Sequence, residues 1–419
     1  MRKKFVTLFL VMLVLTTNLA TTTTGAHSKE VSSSELYSKC LEIGSNFLYD
    51  YYYSIDMKKD IDMSKYFDNK ELIQYLDLKH DIMKNRVVRT NCEISNFSVE
   101  TSCYDSKVLD NKVEITYNVL VKHQYRGFDE MSESMQQVKL GFENINDLVS
   151  IIDYFEFTNF DINVILKQGK TVEALTLNSN DNSFYKLDFG KESNEILENI
   201  FAKENEFYDK LDSEAELYKN TEKQPSVGIT SVSSTARSNM VTYATTNCSK
   251  TDPASGNSSK APYYDFSSIQ YAYDCTNFMS HCLLAGGASE NRTSWYYDSL
   301  SARTPSWSGV NEFHSFITTN TSTGPKAEAR ALAYSCPSQY VNWESGDIVQ
   351  LQEADYNYPG FGQSTMITGS YVMNSLLYIP VVTSRTADNW YTKNEVLTVK
   401  YPIDDDILAY RLIHLTGLT

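Results

Sequence analysis

The residues with the clearest chemical potential lie in one short segment that runs from Asp274 to Gly287. Asp274 is a favourable N-cap residue, and the pair Gly286-Gly287 is a typical end of a helix. Cys275 would then occupy the first helical position, where unpaired backbone N–H groups and the helix dipole stabilise a thiolate. The segment therefore predicts a short helix that carries a cysteine nucleophile. The alternative is that Cys275 is a small buried residue or half of a disulfide.

A resemblance to a known family favours the catalytic interpretation. The sequence Asp-Cys-Thr-Asn-Phe at 274–278, with Ala-Gly-Gly at 285–287, resembles the hallmark helix of the putative amidase family of secreted bacterial proteins. Further similar residues are Ala236-Arg237, Tyr243-Ala244, Asn247, Tyr263, Trp295, Trp307, the strand from Trp343 to Leu351, and Tyr410 to Leu412. The resemblance implies a papain-like α+β fold, with the nucleophile helix packed on an antiparallel sheet. It also implies a cysteine amidase or endopeptidase that acts on peptidoglycan stem peptides.

The chain departs from the family pattern at the general base. The family carries a His at the start of the strand that follows Gly-Asp-Ile-Val, and this chain has Gln363 there. A second family pattern, His-Thr followed by Asp, is replaced by Ser384, Arg385, Thr386, Ala387 and Asp388. The resemblance thus implies a catalytic group of Cys275, Gln363, Arg385 and Asp388, with Arg385 as an electrostatic support for the thiolate. Glutamine cannot accept a proton at neutral pH, and loss of a general base costs about two to four orders of magnitude in rate.

Other residues are candidates for supporting roles. His314 and His414 are the histidines that could replace the missing base, although a structural role is the more ordinary interpretation of each. Tyr273, Asp274 and Trp295 are candidates for substrate contact in an aromatic-lined groove, and core packing is the alternative. We expect no cofactor and no metal ion, because no cysteine pair has zinc-site spacing and no phosphate-binding glycine loop is present.

The charge of the chain restricts its partners. The net charge is -16, and removal of residues 1–26, which carry three cations and no acids, makes it -19. This excess of acid argues against nucleic acid, whose binding requires cationic groups that neutralise phosphates. A neutral or partly cationic partner fits better, such as cell-wall peptide or another protein.

The first residues have the pattern of an export signal. Three cations at 2–4 precede an apolar run at 5–15, and small residues follow at Ala20 and Ala26. This pattern predicts a signal peptide at 1–26, cleaved near Ala26 or, as the alternative, near Ala20. The apolar run is too short to cross a bilayer, and no later run is apolar enough, so we expect a secreted protein without a membrane span, extracellular or associated with the cell wall.

An exported chain permits disulfides, and the sequence contains seven cysteines. Cys92 and Cys103 flank a short strand-like run, Ser95 to Glu100, and are candidates for a hairpin disulfide. Cys248 with Cys336 is a second, weaker pairing. The odd number of cysteines leaves at least one thiol unpaired.

Hydrophobic periodicity divides the chain into an acidic, tyrosine-rich first part and a part rich in Ser, Thr and Trp. In the first part, the patterns predict helices at 34–53, 71–83 and 192–217 and strands at 87–92, 113–123, 135–142 and 149–157. This order of elements predicts the α+β class and resembles the cone-shaped cystatin or nuclear-transport-factor domains. The predicted divisions are an N-terminal α+β domain at 31–170, a helical connector and linker at 171–232, and the amidase-like domain at 233–419.

Three functions follow from these observations. The first is a secreted cysteine amidase of cell-wall peptide, impaired by Gln363 at the position of the base. The second is a pseudoenzyme that binds wall peptide or a protein partner through the same fold. The third is a surface-interaction protein whose acidic N-terminal domain binds the partner.

Overall fold

The computed structural model describes residues 33–146, 148–156, 189–219, 232–249, 274–299, 301–333, 343–353, 360–373, 377–387, 390–404 and 407–419. The helices are α1 (Ser33–Asp56), α2 (Lys70–Arg89), α3 (Lys191–Lys219), α4 (Ser234–Asn247), α5 (Cys275–Ala285), α6 (Pro305–Ser308), α7 (Val310–Thr319) and α8 (Leu397–Lys400). The first strands are β1 (Ile94–Leu109), β2 (Lys112–Tyr125), β3 (Ser132–Ile145), β4 (Leu148–Glu156), β5 (Tyr297–Ser299) and β6 (Ala302–Arg303). The later strands are β7 (Lys326–Ala333), β8 (Ile348–Glu353), β9 (Gly360–Met373), β10 (Leu377–Ala387), β11 (Trp390–Val396) and β12 (Ile407–Gly417).

The α+β prediction is confirmed, because helices pack on a large antiparallel sheet. Helix α1 begins and ends within three residues of the predicted bounds and buries Leu36, Cys40, Phe47 and Tyr51 along one face. Strands β2 and β3 alternate between buried and half-buried residues over most of their length, as the sequence pattern predicts. Among the described residues, no helix combines the length and the apolar character needed to span a membrane.

The predicted strand at 87–92 is wrong, because helix α2 continues to Arg89. Thr90 ends the helix, and its hydroxyl donates a hydrogen bond of 2.7 Å to the carbonyl of Arg86. Val87 is buried on the helix, in the core that α2 shares with its neighbours. Tertiary packing of the apolar face therefore outweighs the local strand preference of two adjacent valines.

One sheet connects the two parts of the chain. Its strand order is β1-β2-β3-β11-β10-β9-β8-β12-β7, with β4 also paired to β3. The outer edge of β3 is divided between two partners: Val138–Ile145 pair with β4, and Glu133–Met135 pair with Tyr391–Lys393 of β11. Backbone hydrogen bonds thus cross the boundary between the two predicted domains.

The two faces of this sheet carry different helices. Helices α4, α5 and α7 pack on the face that presents Met366 of β9 and Ile413 of β12. Helices α1, α2, α3 and α8 belong to the core on the opposite side, which includes Leu351 of β8 and Leu412 of β12. The core under α1, α2, α3 and α8 contains residues from both parts of the chain, so neither part could form it alone.

The predicted disulfide between Cys92 and Cys103 does not form in this structure, in which both are thiols. Cys92 is buried just before β1, whereas Cys103 is exposed and lies opposite Tyr117 in the β1–β2 pair. The run between them is not a hairpin but one extended strand, and nine strand residues span about 30 Å. A disulfide requires Cα atoms within about 7 Å, so this strand keeps the two cysteines apart. Cys336 lies outside the described residues, and Cys248 is a buried thiol.

Candidate active site

Helix α5 begins at Cys275, as the sequence predicts, and its first nine residues are buried. Asp274 lies at the N-cap position, but its backbone is already helical and its side chain makes no cap hydrogen bond. Its carboxylate instead accepts hydrogen bonds from Nε of Arg385 at 3.0 Å and from Nδ2 of Asn277 at 2.9 Å. Asp274 has no exposed surface, so the predicted substrate contact by this residue is wrong.

Arg385 anchors the start of helix α5 to strand β10. Its guanidinium is fully buried, pairs with Asp274 and donates from Nη1 to the carbonyl of Cys248 at 2.9 Å. The backbone N–H of Asp274 donates to the carbonyl of Thr386, the next residue of β10. A buried charge pair needs further hydrogen bonds to offset its desolvation, and these contacts supply them. These contacts make Arg385 a positioning residue for the helix that carries Cys275.

The thiol of Cys275 lies between its own helix and strand β9. Its Sγ is 3.9 Å from the carbonyl oxygen of Gly362 and 3.8 Å from Oγ1 of Thr276. Thr276 continues the contact with β9, because its hydroxyl is 3.0 Å from Oγ of Ser364. Cys275 is only 2% exposed, so its thiol is buried between the helix and the sheet.

Gln363 does not lie beside Cys275, so the prediction that it occupies the base position is wrong. Its Nε2 donates to the hydroxyl of Tyr401 at 3.2 Å and to that of Ser384 at 3.4 Å. Side chains alternate between the faces of a strand, and Ser364 contacts helix α5, so Gln363 points to the opposite face of the sheet. The β8–β9 register shifts beside Gly362, and such a shift changes which residues share a face.

Four of the five described histidines are engaged away from Cys275. His80 is 2.8 Å from the hydroxyl of Ser54, and His123 pairs with Asp56 and Glu395 on the opposite face of the sheet. The imidazole of His281 packs edge-on against Trp307. His414 is 2.7 Å from the carboxylate of Asp347, which also pairs with Arg237. These contacts hold His414, a residue of strand β12, in a structural cluster with Asp347 and Arg237.

His314 is the remaining described histidine, on helix α7. Burial and the nearby guanidinium of Arg411 lower the pKa of His314 to about 4, so its imidazole is neutral at pH 7. Its Nε2 is buried and has no hydrogen-bond partner within the described part of the chain. The guanidinium of Arg411 lies 3.8 Å from the ring centroid of Phe361, the residue before Gly362. Arg411 thus acts electrostatically on His314 and also contacts the residue next to Gly362, the strand segment that faces Cys275.

Two tryptophans pack against helix α5 and donate hydrogen bonds to its side chains. Trp295 and Trp307 are fully buried with ring centroids 4.9 Å apart. Trp307 donates from Nε1 to Oδ1 of Asn277 at 2.6 Å, and Trp295 donates from Nε1 to the hydroxyl of Ser280 at 3.1 Å. Trp295 has no exposed surface and therefore belongs to the core, so its predicted role in substrate contact is wrong.

Two predicted site residues, Tyr273 and Asp388, lie outside the described residues. Among the residues that are described, no group of three or more His, Cys, Asp or Glu side chains is arranged to hold a metal ion. Burial raises the pKa of Cys92 and of Cys248 to about 12, which keeps both thiols protonated. Those two cysteines are therefore poor nucleophiles, because the thiolate is the reactive form.

The comparison with known families agrees with this geometry. Residues 234–405 match the family model described as Putative amidase domain. The match begins at the first residue of α4, includes the Cys275 helix and ends between α8 and β12. The predicted resemblance of the C-terminal half to this family is thereby confirmed. Neither a characterised protein nor a solved structure matches the chain.

Proposed function

We propose that this protein is a secreted cysteine amidase of peptidoglycan stem peptides whose turnover is slow because the usual base is missing. The observation that carries the proposal is the placement of Cys275 at the first position of a buried helix that Arg385 and Asp274 hold against the sheet. Helix N-termini stabilise anions, so this position favours a thiolate and also the oxyanion that forms during acyl transfer. The match to the amidase domain supports the reaction class.

The reaction would proceed by acyl transfer through a thioester. The Cys275 sulfur attacks the carbonyl carbon of a peptide bond, and the backbone N–H of Cys275 donates to the developing oxyanion. The leaving amine takes up a proton, and water then attacks the thioester to release the carboxylic acid and restore the thiol. The side chain of Gln363 can take no part in these proton transfers, because it faces Tyr401 and cannot accept a proton at pH 7.

The proposal is tested by the release of soluble peptide from purified peptidoglycan by the mature protein. Cys275→Ala should abolish the release, whereas Cys103→Ala, which removes an exposed thiol on β1, should leave it unchanged. Release that survives Cys275→Ala would contradict a cysteine mechanism.

His314 is the residue we propose as the substitute base, given its neutral imidazole and its link to Gly362 through Arg411 and Phe361. A base with a pKa of about 4 is active above that pH, so kcat/KM should fall only below about pH 4. A base at the ordinary histidine pKa would lose activity below about pH 6.5. His314→Gln should lower kcat by about two orders of magnitude with little change in KM. An unchanged kcat in this variant would exclude His314.

Binding without hydrolysis is the second candidate function, and the placement of Gln363 on the face of the sheet opposite Cys275 favours it. In this case neither the native protein nor Cys275→Ala releases peptide, while both sediment with purified wall. Peptide release by the native protein therefore distinguishes the two candidate functions, with Cys275→Ala as the reference.

A further inference from the structure

A second polar site lies on the face of the sheet opposite Cys275. A cavity of about 160 Å³ is lined by residues of α1, α2, β2, β3 and β4 from the first part of the chain and of β9, β11, α8 and β12 from the second. This volume is on the order of ten times the minimum that one water molecule requires. The cavity lies outside the candidate active site, although Gln363 contributes to its wall.

One wall of the cavity carries two carboxylates on either side of a single histidine. His123 lies 3.0 Å from Oδ2 of Asp56 and 3.5 Å from Oε2 of Glu395, so two carboxylates share one imidazole. The two carboxylates raise the pKa of His123 to about 10 despite its burial, so the imidazole carries a proton at pH 7 and is shared by both.

One carboxylate oxygen of Glu395 accepts no hydrogen bond from the described residues. Its Oε2 accepts a hydrogen bond of 2.7 Å from the hydroxyl of Tyr125, whereas Oε1 is buried and has no partner among the described residues. The residue is only 3% exposed and forms part of the cavity wall. An unpaired carboxylate oxygen in such a place carries a substantial desolvation cost, which a bound donor would remove.

The opposite charge comes from Lys400, at the end of helix α8. Its ammonium donates to the hydroxyl of Ser134 at 2.7 Å, and no described carboxylate forms an ion pair with it. Burial lowers the pKa of Lys400, and the carboxylates of Glu395 and Glu156 offset that effect only in part. An anionic group in the cavity would supply that compensation.

We propose that this cavity binds a small zwitterion of the amino-acid class, with its ammonium on Glu395 and its carboxylate on Lys400. The two protein charges have opposite sign, line the same cavity and already interact electrostatically with each other. A zwitterion would add a direct partner to each of them, whereas a plain anion or a plain amine would add one to only one of the two. The site includes residues of both parts of the chain and is separate from Cys275.

The experiment is titration calorimetry of the full mature protein with L-alanine, D-alanine, acetate and methylammonium, each used alone. At least one alanine enantiomer should bind more than tenfold tighter than acetate or methylammonium. Lys400→Gln and Glu395→Gln should each weaken that binding at least tenfold, since each removes one charge-assisted contact.

Lys393→Gln is the matched control, because Lys393 also lies on the second part of the chain but pairs with Glu133 outside the cavity. It should bind alanine as tightly as the native protein. Binding of acetate equal to that of both alanines, or the absence of heat from all four probes at millimolar concentration, would overturn the proposal. Both readouts use the native protein and remain decisive if either cavity variant fails to fold.

Discussion

At the scale of single residues, Arg385 has a different role from the one that its place in the family pattern implies. The resemblance to the amidase family makes it a candidate support for the thiolate, whereas the structure directs its guanidinium into Asp274 and the carbonyl of Cys248. The pair holds the N-cap residue of helix α5 against strand β10. Its effect on Cys275 is therefore exerted through the position of the helix.

We expect Arg385→Gln to destabilise the protein by about 3–5 kcal/mol, because it leaves the carboxylate of Asp274 buried without its cation. Urea denaturation of the full chain measures this change. Arg292→Gln, which breaks the exposed pair between Arg292 and Asp298, should leave the midpoint almost unchanged. Equal midpoints for Arg385→Gln and the native protein would mean that the buried pair adds nothing to folding.

The sequence could locate Cys275 but not the neighbours of its thiol. Asp274 and the glycine pair mark the helix, so the position of the cysteine follows from local rules. The direction of Gln363 depends on the register shift beside Gly362, which moves side chains to the other face of the sheet. No local pattern in the sequence marks that shift, so the spacing from the preceding strand assigned Gln363 to the wrong face.

At the scale of elements, helix α5 is held by a polar network that the sequence did not predict. Asn277 joins the start of this helix to helix α6: its Nδ2 donates to Asp274, and its Oδ1 accepts from the indole of Trp307. Ser280, one turn further on, donates to the carbonyl of Trp307 at 2.7 Å. The helix is thus fixed by specific hydrogen bonds in addition to its apolar contacts.

We expect Asn277→Leu to cost about 1–3 kcal/mol for each buried group that loses its partner, namely the indole N–H of Trp307 and an oxygen of Asp274. Thermal unfolding followed by circular dichroism measures the loss. Asn311→Leu, at an exposed position of helix α7, provides the comparison and should have a small effect. A similar decrease in both variants would show that the network around Asn277 is dispensable.

Element prediction succeeds where one face of an element is buried. Strands β2 and β3 alternate over most of their length and were predicted, whereas β1 is exposed or half-buried on both faces and has no such pattern. The exposure of β1 reflects its place at one edge of the sheet, which is a property of the topology. Because β1 lacks an alternating pattern, its length of 16 residues could not be predicted, and Cys92 and Cys103 were assigned to the ends of a short hairpin.

At the scale of the whole molecule, the β3–β11 pairing makes the sheet continuous across the predicted domain boundary. We expect a single calorimetric transition, with the van't Hoff enthalpy equal to the calorimetric enthalpy, because the core between sheet and helices contains residues from both parts. Differential scanning calorimetry of the chain from residue 27 onward tests this expectation. Two separate transitions would mean that the parts fold as independent domains.

The buried charge triad predicts a pH dependence of stability. The pKa of His123 is about 10 in the folded protein and about 6.5 when unfolded, so its stabilising effect is complete below about pH 6.5. That contribution should disappear as the pH rises toward 10. Urea midpoints between pH 6 and pH 10 measure the decline, and His123→Gln should flatten it. A decline of the same slope in the variant would assign the effect to other groups.

The positions of the tryptophans make their intrinsic fluorescence a probe of one part of the molecule. The chain has four, Trp295, Trp307, Trp343 and Trp390, and all of them follow residue 232. Two of these are fully buried against helix α5, so their emission reports the surroundings of the Cys275 helix. The 30 tyrosines occur throughout the chain and dominate the near-ultraviolet absorbance. Emission excited at long wavelength therefore follows the amidase domain selectively, and it can be read during a titration without any chemical modification of the protein.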